Sequence, residues 1–282
     1  MTADSALDPD VCTLVRGSTP LLVSVPHCGR AIPAAMTDAY LPRALAVEDT
    51  DWHLERLYAF ATTLGASLLV PRHSRFVIDL NRPPDDAPMY PGANNTELCP
   101  THFFTGDPLY VGGRAPDPAE IARRRERYWA PYHRALGAEL ERLRADHGHA
   151  VLFDAHSIKA RLPWLFEGRL PALNLGTAAG TSCSTDLRDA LAAVLAGQAR
   201  HDHVVDGRFK GGYITRHYGR PAEHVHAVQL EMIWDCYMDE DAPWNFRPQR
   251  AAEIQPLLEA LLVTMRDWRP DAARSSATGT PR

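Results

Sequence analysis

The stretch VSVPHCGRAIP, residues 23–33, sets His27 and Cys28 directly after an apolar run, Leu21 to Val25, that Pro26 closes. An imidazole or a thiol at the end of a buried strand can serve as a metal ligand or a nucleophile. The stretch VLFDAHS delivers a second histidine, His156, in the same way. Side chains alternate along a strand, so Leu152, Asp154 and His156 share one face. A carboxylate one pleat behind an imidazole suits a metal ligand oriented by a hydrogen-bonded acid. In VEDTDWH, Asp49 and Asp51 stand where a loop enters a helix. Asp51 can cap that helix, or a carboxylate there can complete a His, Asp, His set. Two imidazoles and one carboxylate with an open fourth position is the pattern of a catalytic zinc site.

Glu231 lies between Leu230 and Met232 in HAVQLEM. A carboxylate in an apolar strand must be paired or must line a cavity. Facing a metal-activated water, it can act as general base and then protonate a leaving amine. RFVIDLNRP crowds Arg75, Asp79, Asn81 and Arg82 into one segment, and the planar fork of Arg82 suits two-point contact with a carboxylate. Each feature has an ordinary structural reading: a hydrogen-bonded histidine, a helix cap, an ion pair. Their convergence at one sheet edge favours the functional one.

The elements that must position these groups alternate along the chain. Leu21–Val25, Ser67–Val70, Phe76–Leu80, Ala150–Asp154, Leu170–Leu175 and Ala227–Ile233 read as strands. Asp51–Leu64, Ala119–His147, Thr185–Ala199 and Ala251–Met265 read as helices. Gly65 ends the first, Pro131 bends the second, and Thr185 caps the third. Residues 83–117, rich in Pro, Gly and Asn, form a long excursion of the kind that is often functional. Near-continuous apolar strands separated by helices predict an α/β fold whose sheet is covered on both faces, with ligands beyond the strand carboxyl ends. Residues 1–268 are expected to form a single domain, with fraying over residues 1–10 and a disordered tail over 269–282.

At 282 residues and 45% hydrophobic, the chain can bury a core without staples. A net charge of −5 disfavours nucleic acid as a partner. No run is long and apolar enough for a membrane, and the start lacks a signal-peptide pattern. Five scattered cysteines without a CxxC pair fit a reducing cytoplasm. Other motifs read as structural. HDHVVD (His201, Asp202, His203, Asp206) is solvated surface after a helix. His226 points away from Glu231. RRRER at 123–127 is a charged helix face. Gly211-Gly212 is a flexible turn. Cys28 lacks a third group to complete a thiol hydrolase.

Taken together, VSVPHCGRAIP, EDTDWHLERLY, SRFVIDLNRPP, LFDAHSI, LPALNLGT, GGYITRHYGRP and HAVQLEM resemble the N-formylglutamate amidohydrolase family, from about residue 21 to 235. The family is similar in fold to zinc carboxypeptidases, which implies a mixed, mainly parallel sheet with helices on both faces. The resemblance implies hydrolysis of N-formyl-L-glutamate to formate and L-glutamate, in histidine degradation. It implies one divalent ion, zinc by default or another divalent metal, on His27, Asp51 (preferred to Asp49) and His156. It makes Glu231 the general base and the Asn81-Arg82 pair the substrate-carboxylate grip. Arg216 would polarise the formyl oxygen or hold a second carboxylate. Two positions depart from the family: Cys28 replaces its usual serine, and Trp164 stands where it has a basic residue. Near Trp164, Lys159 and Arg161 are the cations available, and Arg161 is expected to bind substrate. The rival readings are a deacylase for another N-acyl acidic amino acid and a non-catalytic ligand-binding protein. A monomer or small homo-oligomer acting on a small molecule is expected.

Overall fold

The computed structural model describes residues 8–89 and 94–270. The expected tail beyond Pro270 and residues 1–7 of the expected fraying segment lie outside the described residues. Asp8 opens a turn whose carbonyl takes the N–H bonds of Val11 and Cys12.

One seven-stranded sheet is built from β1 (Cys12–Val15), β2 (Leu21–Ser24), β3 (Ser67–Pro71), β4 (Ala150–Ile158), β5 (Leu173–Gly176), β6 (His203–Val205) and β7 (Val225–Ile233). Its order is β1-β3-β2-β4-β7-β5-β6. The β1–β3 and β5–β7 pairs are antiparallel, and the other pairs are parallel. The helices are α1 (Leu54–Leu57), α2 (Pro118–Arg124), α3 (Ala130–His147), α4 (Thr185–Ala196), α5 (Tyr213–Tyr218) and α6 (Pro248–Asp267). This is the mixed, mainly parallel α/β fold that the sequence implies.

The apolar strands read continuously because each divides its side chains between two cores. Val151, Phe153, Val228 and Leu230 pack with α1, α4 and α6 on one face. Ala150, Leu152, Val225 and Ala227 pack with α3 and α5 on the other. On this second face the sequence changes character along both strands: β4 continues with Asp154 and His156, and β7 with Gln229 and Glu231. The apolar core ends there and the polar site begins.

Several elements differ from their sequence reading. Phe76–Leu80 is a buried loop rather than a strand. Its backbone bonds go to Leu98 O, from Asp79 N at 2.7 Å, and to a local turn closed by Val77 N on Ser74 O at 2.9 Å. This winding lets Phe76 enter a third apolar cluster while Ile78 and Leu80 enter the α3 core. The Asp51–Leu64 helix is shorter: α1 is followed by a 3₁₀ helix, Ala59–Leu64, which Gly65 closes at φ 75°. Before Pro131 a π-helical turn, Arg125–Trp129, joins α2 to α3. A proline has no N–H and its ring clashes with the carbonyl four residues back, which a widened turn relieves. Ser184, not Thr185, is the N-cap of α4. HDHVVD, half-buried to exposed at the sheet edge, also contributes the strand β6. There the Asp206 carboxylate takes Thr177 N–H and Oγ–H at 2.7 and 2.5 Å. Arg124, in the RRRER helix, is buried rather than on a charged face. It donates to Tyr110 Oη and Val77 O at 2.9 and 3.1 Å.

Candidate functional site

A histidine follows β2 for a geometric reason. The β2–β4 ladder stops at Ser24 and Asp154, but β4 runs on to Ile158. Beyond that point Ser157 N–H is taken by Asp51 Oδ2 at 3.1 Å, and Asp51 N–H is held by His27 O at 3.0 Å. The short β2 therefore opens a notch at the strand ends that His27 and Asp51 fill. His27 Nδ1 and His156 Nδ1 are 3.1 Å apart. Asp51 Oδ2 lies 3.2 Å from His156 Nδ1 and 3.8 Å from His27 Nδ1. Among the described residues, His27, Asp51 and His156 form the group whose ligand atoms all fall within 4.8 Å of one another. Asp51 is thus not a helix cap, and Asp49 lies outside the group, accepting Phe104 N–H at 2.8 Å.

The far nitrogens face carboxylates. His27 Nε2 is 2.6 Å from Asp79 Oδ1, and His156 Nε2 is 3.1 Å from Asp154 Oδ2. With the proton on Nε2 beside each carboxylate, the Nδ1 lone pairs turn toward the same point, as in ligating histidines, and Arg75 Nη1 stands 3.2 Å from the His27 Nδ1. Two lone pairs that close repel unless a proton or cation lies between them. Ligands roughly 2 Å from one ion sit about 3–4 Å from each other, and the three donors meet that spacing. The residues therefore fit a divalent ion.

Without a cation, a proton takes that role. Burial lowers the basicity of His156, but Asp154, Asp51 and Glu231 outweigh it and raise its pKa well above the usual histidine range. Burial and then Arg75 depress His27 against the pull of Asp79. One imidazolium thus faces one neutral imidazole, and a cation binding there must displace the shared proton. Burial favours the neutral form of Asp79, but Arg75, His27 and Arg82 outweigh it and hold the carboxyl well below its usual range. Arg75 NH2 lies 2.6 Å from Asp79 Oδ2, and its guanidinium sits 4.5 Å over the Phe104 ring.

Glu231 pairs in register with His156 on the adjacent parallel strand. It lines the same cleft as His27, Asp51, Asn81, Arg82 and Phe104. Burial pushes its pKa up to about 8, against the opposing effect of His156. Arg82 is anchored by Thr96 O at 2.9 Å and Thr96 Oγ1 at 2.6 Å. Asn81 supports the ligand shell through the carboxylate that holds His156: its Nδ2 donates to Asp154 Oδ2 at 3.5 Å, and its Oδ1 accepts Ile214 N–H at 2.8 Å. The Gly211-Gly212 turn is a packing requirement. Gly211 has φ 116°, and a Cβ on Gly212 would fall 2.3 Å from Asn81 Nδ2. Gly212→Ala should displace Asn81 and lower metal affinity roughly 10- to 100-fold. Competition with a chromophoric chelator reads this directly. Unaltered affinity would mean that the turn does not set the His156 ring.

Some expected residues are placed elsewhere. Arg161 is exposed and lines a separate depression with Asp235 and Asp239. Arg216 is exposed, with Nε donating to Gly211 O at 2.9 Å, so it braces the turn from outside the cleft lining. Lys159 sits 5.6 Å over the Trp234 ring. Trp164 packs on Gly106, and its carbonyl accepts Asn94 Nδ2 at 2.6 Å. Cys28 is buried in the main core and its thiol is pushed well up by burial, which removes the thiol nucleophile. His226 faces away from Glu231, 4.5 Å from the Trp268 ring. The sequence reading did not single out Gln229, Phe104, Arg208 or Phe209, which all line the cleft. Gln229 could have been found, since alternation puts it on the Glu231 face. The other three sit on loops whose path no local pattern reveals.

The family profile for N-formylglutamate amidohydrolase matches residues 19–238. The chain is 49% identical to an N-formylglutamate deformylase of Pseudomonas aeruginosa over 259 residues, covering 92% of this chain and 97% of that protein. It is 48% identical to an N-formylglutamate deformylase of Pseudomonas putida over 258 residues, covering 92% and 96%. The crystal structure of an N-formylglutamate amidohydrolase from Ralstonia eutropha superposes with a TM-score of 0.76 at 27% identity, covering 91% and 96%. A gene product of Agrobacterium tumefaciens shares the fold, with a TM-score of 0.67 at 18% identity, covering 90% and 94%.

Proposed function

The chain belongs to the N-formylglutamate amidohydrolase family, and on that premise we propose that it hydrolyses N-formyl-L-glutamate to formate and L-glutamate with a divalent ion held by His27, Asp51 and His156. The observation that carries this reading is the register of β4 and β7, which sets Glu231 beside His156 at one cleft. When bound, such an ion would lower the pKa of water and polarise the formyl carbonyl. Zinc is the default for this donor set, and other divalent metals suit it too. Glu231 takes the proton of the attacking water and returns it to the amide nitrogen as the C–N bond breaks. Burial raises its pKa and so strengthens it as the acceptor of that proton. Arg82 binds the α-carboxylate through its fork and so sets the formyl group against Glu231. Phe104 and Phe209 flank the cleft and limit water.

The sheet that carries the ligands and the base supports reading residues 1–268 as one catalytic domain. Among the described residues no helix is long and apolar enough to cross a membrane. Five free, buried cysteines support a reducing cytoplasm as its place of action.

The reading is tested by metal analysis together with formate release from N-formyl-L-glutamate, and by release of acetate or succinate from the corresponding N-acyl compounds. N-formyl-L-glutamate should turn over fastest, chelation should abolish activity, and a divalent ion should restore it. Activity that survives complete metal removal would sink the metal assignment. Chelation should also destabilise the fold. A ligand at 100 times its Kd contributes about 2.7 kcal/mol, so the Tm should drop by several degrees. Superimposable calorimetric curves with and without chelator would contradict a bound ion.

A further inference from the structure

We propose that Arg208 binds the side-chain carboxylate of the substrate and so sets the preference for an acidic amino acid. The proposal rests on the reading of the substrate given above. That substrate carries two carboxylates, and three arginines line the cleft: Arg75, Arg82 and Arg208. Arg75 is committed to Asp79 at 2.6 Å and lies 4.0 Å from Asp51. Arg82 is 3.8 Å from Asp79 Oδ2, the carboxylate whose other oxygen holds His27, so it stands beside the reacting centre. The α-carboxylate shares its carbon with the scissile amide nitrogen and must lie close to that centre. The side-chain carboxylate ends two methylenes further away.

Arg208 is placed for that second group. It follows β6 on a loop that folds back over the site face of the sheet. Gly212 N–H donates to Gln229 Oε1 at 2.7 Å, and Gln229 lies two residues before Glu231 on the same face. The loop thus approaches the cleft from the β5–β6 side, whereas Arg82 enters on the loop before Pro83. The guanidinium is half-buried, with NH2 3.1 Å from Leu165 O and the group 5.4 Å from the Phe209 ring. A planar fork held against a carbonyl and a ring is pre-organised and loses little freedom on binding an anion. Leu165 and Phe209 supply an apolar wall for the intervening methylenes. The cations that the sequence reading expected at the substrate, Arg161 and Arg216, are exposed and outside the lining.

The test measures kcat/KM for N-formyl-L-glutamate and N-formyl-L-glutamine in wild type, Arg208→Met and Arg208→Lys, with metal content checked. The glutamine compound keeps the shape and loses the charge. Arg208→Met should lose roughly 100-fold on the glutamate compound, the effect of one charge-assisted contact in a half-buried site. Its rate on the glutamine compound should stay within about threefold, since no charged contact is lost there. Arg208→Lys should fall between, and it decides the matter if the methionine variant is poorly folded. Equal losses on both compounds, or no loss on the glutamate compound, would overturn the proposal while leaving the family reaction intact. Wild-type protein that turns over neither compound would overturn the reading of the substrate and this proposal with it.

Discussion

Glu231→Gln should lower kcat about 10³-fold, within the range for loss of a general acid–base group, while the protein keeps its metal. Glutamine preserves the shape of the side chain on β7 and its register beside His156, so the fold and the three ligands are undisturbed. It cannot accept a proton from water or deliver one to the leaving amine. KM should change little, because Arg82 and not Glu231 holds the substrate. Glu231→Asp should retain part of the rate, since the carboxylate remains but is withdrawn by one methylene. Turnover within tenfold of wild type at full metal occupancy would remove Glu231 from the mechanism.

The same variant makes a thermodynamic prediction for the metal-free protein. The pKa of the Glu231 carboxyl is raised by burial to about 8 from its ordinary value of 4.5. Between those pH values the folded state holds a proton that the unfolded chain has released. Stability therefore falls as pH rises through that window. Glu231→Gln has no such proton to lose. The metal-free variant should thus gain stability relative to metal-free wild type between pH 5 and pH 8, measured by urea denaturation. A difference that stays constant with pH would show that this carboxyl titrates normally.

The second large effect is expected at the ligands. His156→Ala should abolish stoichiometric metal binding and lower activity on the order of 10³-fold or more, since the several kcal/mol supplied by a bound ion are lost. His156 sits between Asp51 and Asp154 at 3.2 and 3.1 Å. Its removal leaves two buried carboxylates without their shared partner, so lower stability is expected as well. Asp79→Asn separates the two consequences. It keeps His27 in place but weakens the acceptor that orients its ring, and it should cost only 10- to 100-fold in metal affinity. Folded His156→Ala protein that still binds one equivalent of metal would show that the ion, if any, lies elsewhere.

Much of this was written in local patterns. The period-two alternation of β4 and β7 put Asp154 with His156 and isolated Glu231 in apolar surroundings before any strand was paired. The apolar runs gave the layers, because strands buried on both faces read as unbroken hydrophobic stretches. Local patterns misled where tertiary packing overrode them. The segment from Phe76 to Leu80 is as apolar as a strand, yet it winds to feed two cores and to aim Asp79 at His27. RRRER reads as a solvated face, yet Arg124 is buried because two tyrosine hydroxyls and a carbonyl from other segments receive it.

By itself the sequence determined which groups could do chemistry: two strand-end imidazoles, acids beside them and a carboxylate in an apolar strand. Only the tertiary structure decided how they meet. The early end of β2 leaves a β4 N–H for Asp51 rather than Asp49, and the β4–β7 register brings Glu231 to His156. The folded-back loop puts Arg208 in the cleft and leaves Arg161 and Arg216 outside. The physical reason is one of range: side-chain direction within a strand is fixed by neighbours one and two residues away, whereas strand partner, register and loop path depend on contacts between segments far apart in the chain.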